Sequence, residues 1–234
     1  MHSQTNNQDN QSSTLIGGNQ YEQYSIKQLE EKCGTLSVPS KMPCYGYSLP
    51  AALCKKGSKL REIEGSVCYG CYAHKGRYIF NGVQSALLRR YNALMGDRQV
   101  WRLAITELIR RKEKSGYFRW HDSGDLQDLQ HLIDINTIAL RLPHIKFWLP
   151  TREYDIVKRF RGLCGGQDFA TNLSIRLSAT MVGSSPPTKR YKLTSTVDWN
   201  DAPHNCPAPT QQNQCQDCRA CWDTSIPNVN YKLH

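Results

Sequence analysis

The chain has 234 residues, 39 % of them hydrophobic, which is enough to bury a sizeable core as one domain of ordinary size. Thirty Lys and Arg against 20 Asp and Glu give a formal charge of +10, a balance that favours an anionic partner such as nucleic acid or a nucleotide. No long apolar run and no basic leader precede the polar start, so a soluble cytoplasmic protein is expected, without a transmembrane helix, a secretory signal or a membrane partner.

In chain order, residues 1–20 are rich in Asn, Gln, Ser and Thr and are expected to form a disordered tail. Residues 21–200 are expected to form an α/β domain, and 201–234 a cysteine-bearing segment packed on it. Between 40 and 78, prolines and glycines punctuate an irregular stretch that carries Cys44, Cys54, Cys68 and Cys71. A loop of that length needs a staple, and a bound metal supplies one.

Val83, Leu87, Tyr91 and Leu94, then Trp101, Ala104, Ile105, Leu108 and Ile109, recur at helical spacing and predict two helices. The aromatic run Tyr117 to Trp120 predicts a strand. After it, Ser123 and Asp125 suit the start of a helix that continues through Leu126, Leu129, Leu132 and Ile133. Further strands are predicted at 145–149, at 173–177 and within 191–197, with a helix through Ile156, Val157 and Phe160 that stops near Gly165-Gly166. This alternation predicts a parallel sheet, either open or curled into a partial (β/α) barrel. Polar residues then collect at the carboxyl ends of the strands, where such folds bind ligands. They are His121, Asp122, Ser123, Gly124 and Asp125 after the first predicted strand, Arg152 and Glu153 after the second, and Ser178 after the third, which itself carries Arg176.

Ten cysteines in a reducing compartment point to ligands more than to disulfides. Cys206-Pro207 followed by Cys215, Cys218 and Cys221 is the most specific pattern. Its Cys-x-x-Cys-x-x-Cys run resembles ferredoxin-type ligation of a 4Fe–4S cluster; zinc, which four thiolates can also close around, is the alternative. The second set is Cys54, Cys68 and Cys71 with Cys44 nearby. Three thiolates on a cubane leave one iron open to a small molecule, and a fourth closes it, so the placement of Cys44 separates chemistry from a structural staple. Cys33 and Cys164 stand apart and are read as small buried hydrophobes. Nine Lys or Arg between Arg89 and Arg119, against three acids, predict either a nucleic-acid surface or a solvated helical face.

Lys41-Met42-Pro43, Ser48-Leu49-Pro50-Ala51, Cys68-Tyr69-Gly70-Cys71-Tyr72-Ala73, His121 to Asp125, Leu149 to Glu153 and Cys218 to Trp222 together resemble the phage and plasmid gene product 88 family. The resemblance implies a mobile element in a bacterial host cell. Cys68-x-x-Cys71-Tyr72-Ala73 and Ser123-Gly124-Asp125 are also distantly similar to the cysteine and glycine-acid motifs of radical S-adenosylmethionine enzymes. Thirteen residues separate Cys54 from Cys68, far more than the first spacing of that cysteine motif. This second resemblance implies an S-adenosylmethionine-binding cluster, an auxiliary cluster near the C-terminus and a reductant protein as partner. It further implies that Ser123-Gly124-Asp125 holds the methionyl amino group, that Arg152 or Arg176 pairs with the methionyl carboxylate, and that Asp122, Asp125 or Glu153 accepts from ribose hydroxyls. His121 is a candidate base or pocket ligand beside Asp122.

Overall fold

The computed structural model describes residues 21–163, 170–187 and 191–233. The expected tail at 1–20, the helix stop at Gly165-Gly166 and Cys164 lie outside the described residues.

Helix α1 (Ile26–Cys33) starts at Ser25, which shares a reciprocal capping box with Gln28. Within the stretch expected to be irregular lie the two-residue strand β1 (Gly46–Tyr47) and the short helix α2 (Lys55–Leu60). The two predicted helices follow as α3 (Asn81–Met95) and α4 (Arg98–Lys112). Asp97 caps the second, accepting from the Gln99 and Val100 N–H groups at 3.0 Å. Next come β2 (Tyr117–Trp120), α5 (Leu129–Arg141), β3 (Lys146–Thr151), α6 (Tyr154–Leu163), β4 (Leu173–Ser178), β5 (Thr194–Val197) and β6 (Asn228–Tyr231).

One expectation fails here: α5 begins three residues after Leu126, with Asp128 as its cap, so Ser123 and Asp125 do not start a helix. Their polar atoms are engaged elsewhere. The Ser123 hydroxyl donates to the Leu49 carbonyl at 2.8 Å, and Leu49 N–H donates back to the Ser123 carbonyl at 2.9 Å. Gly124 has φ +81°, and a Cβ there would meet Leu49 Cβ at 2.6 Å and its carbonyl oxygen at 2.9 Å. Only glycine lets the turn after β2 lie this close to the segment after β1.

All six strands are parallel and their order in the sheet is their order in the chain. The carboxyl ends of all the strands therefore share one edge. Alternation along each strand divides the side chains between two faces. Phe118, Trp120, Phe147 and Leu149 join the main core with α1, α4 and α5, whereas Trp148 joins a smaller cluster with Cys44, Ala220, Cys221, Trp222 and Val229. The C-terminal segment thus covers the opposite face of the sheet and ends as its sixth strand.

Arg176, fully buried on β4, fastens that segment. Its Nε donates to the Cys221 carbonyl at 2.9 Å, Nη1 to those of Ile226 and Thr194 at 3.0 and 3.3 Å, and Nη2 to those of Ala220 and Asp223 at 2.9 and 2.7 Å. Every guanidinium nitrogen is engaged with backbone, so Arg176 does not offer the carboxylate clamp that the sequence suggested. Trp222 adds an Nε1–H bond to the Phe118 carbonyl at 2.9 Å.

Substituting Arg176→Lys keeps the charge but leaves several of these buried carbonyls without a donor. The expected loss is about 3 kcal/mol of unfolding free energy. Urea denaturation of wild type and variant checks it, and a loss below about 1 kcal/mol contradicts the bracing role.

Candidate metal and ligand site

A cavity of about 970 Å³ opens at the carboxyl edge of the sheet and draws its walls from both ends of the chain. Cys54, Cys68 and Cys71 line it from the loop after β1, and Cys206, Cys215 and Cys221 from the C-terminal segment.

The first three thiols are brought together by tight turns: Cys71 N–H donates to the Cys68 carbonyl at 3.2 Å, and Cys54 directly precedes α2. Burial pushes the Cys54 thiol well up, and the charges of Asp125, Cys71 and Cys68 add to this. Cys68 is raised by burial too, with the Arg152 guanidinium acting against it. Between the sulfurs stands Gly57, where a Cβ would lie 3.0 Å from Cys54 Cβ, 3.7 Å from Cys54 Sγ and 3.8 Å from Cys68 Sγ. A side chain there would fill the space that the two thiols face.

Cys44 belongs to the other group. It packs with Cys221 and Trp222, and its thiol is pushed up to about 12 by burial and by Glu113, with Cys215 adding to the shift and Arg119 and Arg219 opposing it. Cys215 N–H donates to the Lys41 carbonyl at 3.1 Å, and Cys215 Sγ lies 3.7 Å from Met42 Sδ. Cys206 and Cys215 are both raised, first by burial; Cys218 adds to each shift and Cys206 to that of Cys215. Cys221 is pushed up to about 12 by burial, against its 3.1 Å contact with the Tyr231 hydroxyl. The N-terminal group is therefore three thiols and the C-terminal group five. Among the described residues, no three His, Cys, Asp or Glu side chains converge tightly enough to hold a single metal ion. Cys33 is buried and bonds the Leu29 carbonyl, away from both groups.

Between the two groups lie the polar strand ends. Asp125 is buried and accepts from Thr151 Oγ1 at 2.6 Å, Leu126 N–H at 2.7 Å and Arg152 N–H at 2.9 Å. Burial raises its carboxyl to about 6 even so. Arg152 donates from Nε to the Ala179 carbonyl at 3.1 Å, and Glu153 accepts from Lys56 N–H at 2.7 Å. Ser178 Oγ accepts from Ser195 Oγ at 2.9 Å. Asp122 pairs with Arg119 at 2.8 Å and accepts from the Tyr78 hydroxyl, while Tyr72 donates to its carbonyl. Arg119, stacked 4.6 Å over Trp148, stays charged against burial because Asp122 and nearby tyrosines hold it so. Gly57, Arg119, Tyr78 and Tyr231 also line this cavity and carry no sequence motif that marks them.

His121 ends β2 with φ +56° and is 3 % exposed, and neither ring nitrogen has a hydrogen-bond partner. Its ring sits 5.2 Å from that of His131, which is fully buried. Burial, then the Arg119 charge, lowers His121 to about 3, and burial with the His121 charge lowers His131 well below the usual range. A neutral imidazole presents one donor and one acceptor, and His121 lines the cavity.

The basic stretch from Arg89 to Arg119 is mostly engaged within the fold. Arg98 pairs with Asp128, Arg102 with Asp134, Arg110 and Arg111 with Glu107, Lys112 with Glu30, and Arg119 with Asp122; Arg90 is buried. It offers little free charge to a polyanion. No described helix is long and apolar enough to cross a membrane.

The chain is thus a parallel α/β protein with two groups of thiols lining one cavity at the carboxyl edge of its sheet. The gene product 88 family model matches residues 10–224, and the chain belongs to that family. Neither a curated protein nor a solved structure matches it.

The two histidines give a pH signature. Each binds a proton in the unfolded chain near its usual 6.5 but resists it when folded, so this contribution to stability is full above pH 6.5. It is lost as pH falls toward 3, by about 1.4 kcal/mol per pH unit for His121. His121→Asn, which tolerates the positive φ, is expected to flatten the stability profile between pH 6.5 and 4.5 by about that slope. Unfolding free energies across that range check it.

Proposed function

We propose that the chain is an iron–sulfur enzyme of the radical S-adenosylmethionine type, with a cofactor-binding cluster on Cys54, Cys68 and Cys71 and an auxiliary cluster on the C-terminal thiols. The observation that carries this reading is the convergence of both thiol groups and the His121 to Asp125 turn on one cavity at the carboxyl edge of a parallel sheet. The order supports it further: the three thiols follow β1 and the Ser123-Gly124-Asp125 turn follows β2. A single cavity lined by Ser48, just after β1, and by Tyr231 in β6 favours a sheet curled into a partial barrel over a flat one. Because Cys44 lies with the C-terminal group, the N-terminal set has three donors, which leaves one iron of a cubane for a ligand. Thiols spread around a gap, as at Gly57, suit a multi-iron cluster better than one zinc ion, which needs four donors at about 2.3 Å.

A 4Fe–4S cluster would be held by Cys54, Cys68 and Cys71 and, once reduced by an external one-electron donor, would supply the electron that splits S-adenosylmethionine into methionine and a hydrogen-abstracting deoxyadenosyl radical. The chain's own residues bind and orient. Arg152 is anchored through Nε, and its amino nitrogens offer a planar pair of donors to the methionyl carboxylate. Its charge beside Cys68 also offsets the negative charge of thiolates. Asp125 already accepts three hydrogen bonds, so it fixes Arg152 and Thr151 in place instead of reaching a ribose. Backbone at Gly124, with φ +81°, lines the cavity without a side chain in the way. His121 hydrogen-bonds the ligand as a neutral imidazole, and Asp122, held by Arg119 and Tyr78, closes the same wall. Cys44, Cys68 and Cys221 are buried and the other five thiols half-buried, and all would ionise on metal binding.

Anaerobic purification followed by iron, sulfide and zinc analysis tests the reading, with about eight irons per chain expected if both groups carry cubanes. Zinc alone, without a visible chromophore, overturns it. S-adenosylmethionine with a reductant is expected to change the electron paramagnetic resonance spectrum and to yield 5′-deoxyadenosine. Cys68→Ala removes that response, whereas Cys44→Ala perturbs only the second cluster's signal. A Cys44→Ala variant that loses the S-adenosylmethionine response contradicts the division into three and five.

A further inference from the structure

The segment that carries the first thiol group also carries charge that the fold leaves unmatched. Lys59, Arg61, Lys75 and Arg77 are exposed, and among the described residues none of them is in an ion pair. This contrasts with the α4 cations, whose partners are internal carboxylates. Arg61 and Arg77 line the cavity, and Lys75 Nζ stands 4.0 Å from the Cβ position of Gly70, in the turn between Cys68 and Cys71. Arg61 Nη1 lies 3.2 Å from His74 Nε2, and burial and this guanidinium both lower His74, so no anion inside the fold balances the pair. Arg61 and Arg77 therefore stand in the cavity wall, with Lys75 beside its thiol turn.

Aromatic faces accompany them. Tyr69, next to Cys68, is 58 % exposed, and Phe80, just before α3, is 61 % exposed. Cations spaced along a rim with interleaved aromatic rings are the means by which proteins hold single-stranded nucleic acid, since phosphates take the charges and every base has a face to stack. A base is reached in a concave site only when it is out of a duplex stack.

We propose that the substrate of this cavity is one nucleotide of a single-stranded nucleic acid, whose neighbouring phosphates lie on Arg61, Lys75 and Arg77 and whose neighbouring bases stack on Tyr69 and Phe80. The proposal rests on the cavity being a reaction site, and it moves the nucleic-acid surface from the helices at 89–119 to the thiol loop.

Fluorescence anisotropy of anaerobic, cluster-loaded full-length protein with labelled 20-residue oligo(dT), oligo(rU) and a duplex tests it. Single strands are expected to bind at low salt and to bind more tightly than the duplex. Arg61→Ala with Arg77→Ala should weaken binding about tenfold and lower the salt slope by about 1.4, the value for two phosphate contacts on a single strand. Tyr69→Ala with Phe80→Ala should weaken it about tenfold with the slope unchanged. Arg89→Ala with Lys114→Ala, exposed residues of the helical stretch, should leave it within about twofold. No binding at low salt, equal binding of duplex, or loss through the Arg89 and Lys114 pair instead of the rim overturns the proposal. So does a rim whose variants lose only the binding of an acidic electron-transfer protein. Iron content and the S-adenosylmethionine response are measured on each variant. Full cluster and response without strand binding sinks the substrate assignment alone, and strand binding without a cluster sinks the enzyme reading alone.

Discussion

The architecture of the site hangs on one buried guanidinium. Arg176 stands in the middle of β4 and holds the carbonyls of Ala220, Cys221, Asp223 and Ile226 in a single hand of donors. A backbone loop with that many unpaired carbonyls could not otherwise lie against a hydrophobic sheet face. Fixing that loop fixes Cys221, and Trp222 follows it into the gap between Tyr117 and Trp148. The second thiol group is thereby pressed onto the sheet from the side opposite the main core. Without the brace, the two thiol groups would not share a cavity.

Electrostatics then sorts the remaining charges by position. Carboxylates that face α4 and α5 are matched by arginines at short distance, so the helical side of the protein is internally neutralised. The cavity side differs. Burial raises the Cys54, Cys68 and Cys221 thiols and lowers His121; Arg119 pairs with Asp122 in the wall under two tyrosines, and Lys232 pairs with Asp198 at 3.1 Å.

Much of the fold was legible. Helical spacing located α3, α4 and α6, and aromatic or β-branched runs located β2, β3 and β4 to within a few residues. The outer strands were not. β1 is two residues inside a proline-rich loop, and β6 reads Asn-Val-Asn-Tyr, where Asn228 and Asn230 take part by bonding Thr194 and Thr196 across the sheet. Local propensity cannot see such ladders. In the site, the cysteine groups and the strand-end turn were visible as motifs, but Cys44 was grouped by nearness in sequence with Cys54, whereas packing puts it beside Cys215. Arg176 looked like a ligand clamp because residue type and strand position say nothing of which carbonyls lie overhead. Asp125 likewise looked like a helix cap until the Thr151 hydroxyl and Arg152 N–H claimed it.

The partnership of Cys44 with Cys215 reaches across most of the chain, and this imposes an order on biosynthesis. Cys54, Cys68 and Cys71 leave the ribosome together, and their loop is held by the segment after β4, with Val67 N–H donating to the Thr180 carbonyl at 2.9 Å and Val182 N–H to the Gly65 carbonyl at 3.0 Å. Cys44 emerges before them yet has no neighbouring thiol of its own group until Cys206 and its successors are synthesised, more than 160 residues later. The group then depends on β6, at 228–231, docking beside β5. The second group therefore comes together only once β6 has been made and docked, whereas the first waits only for the segment after β4.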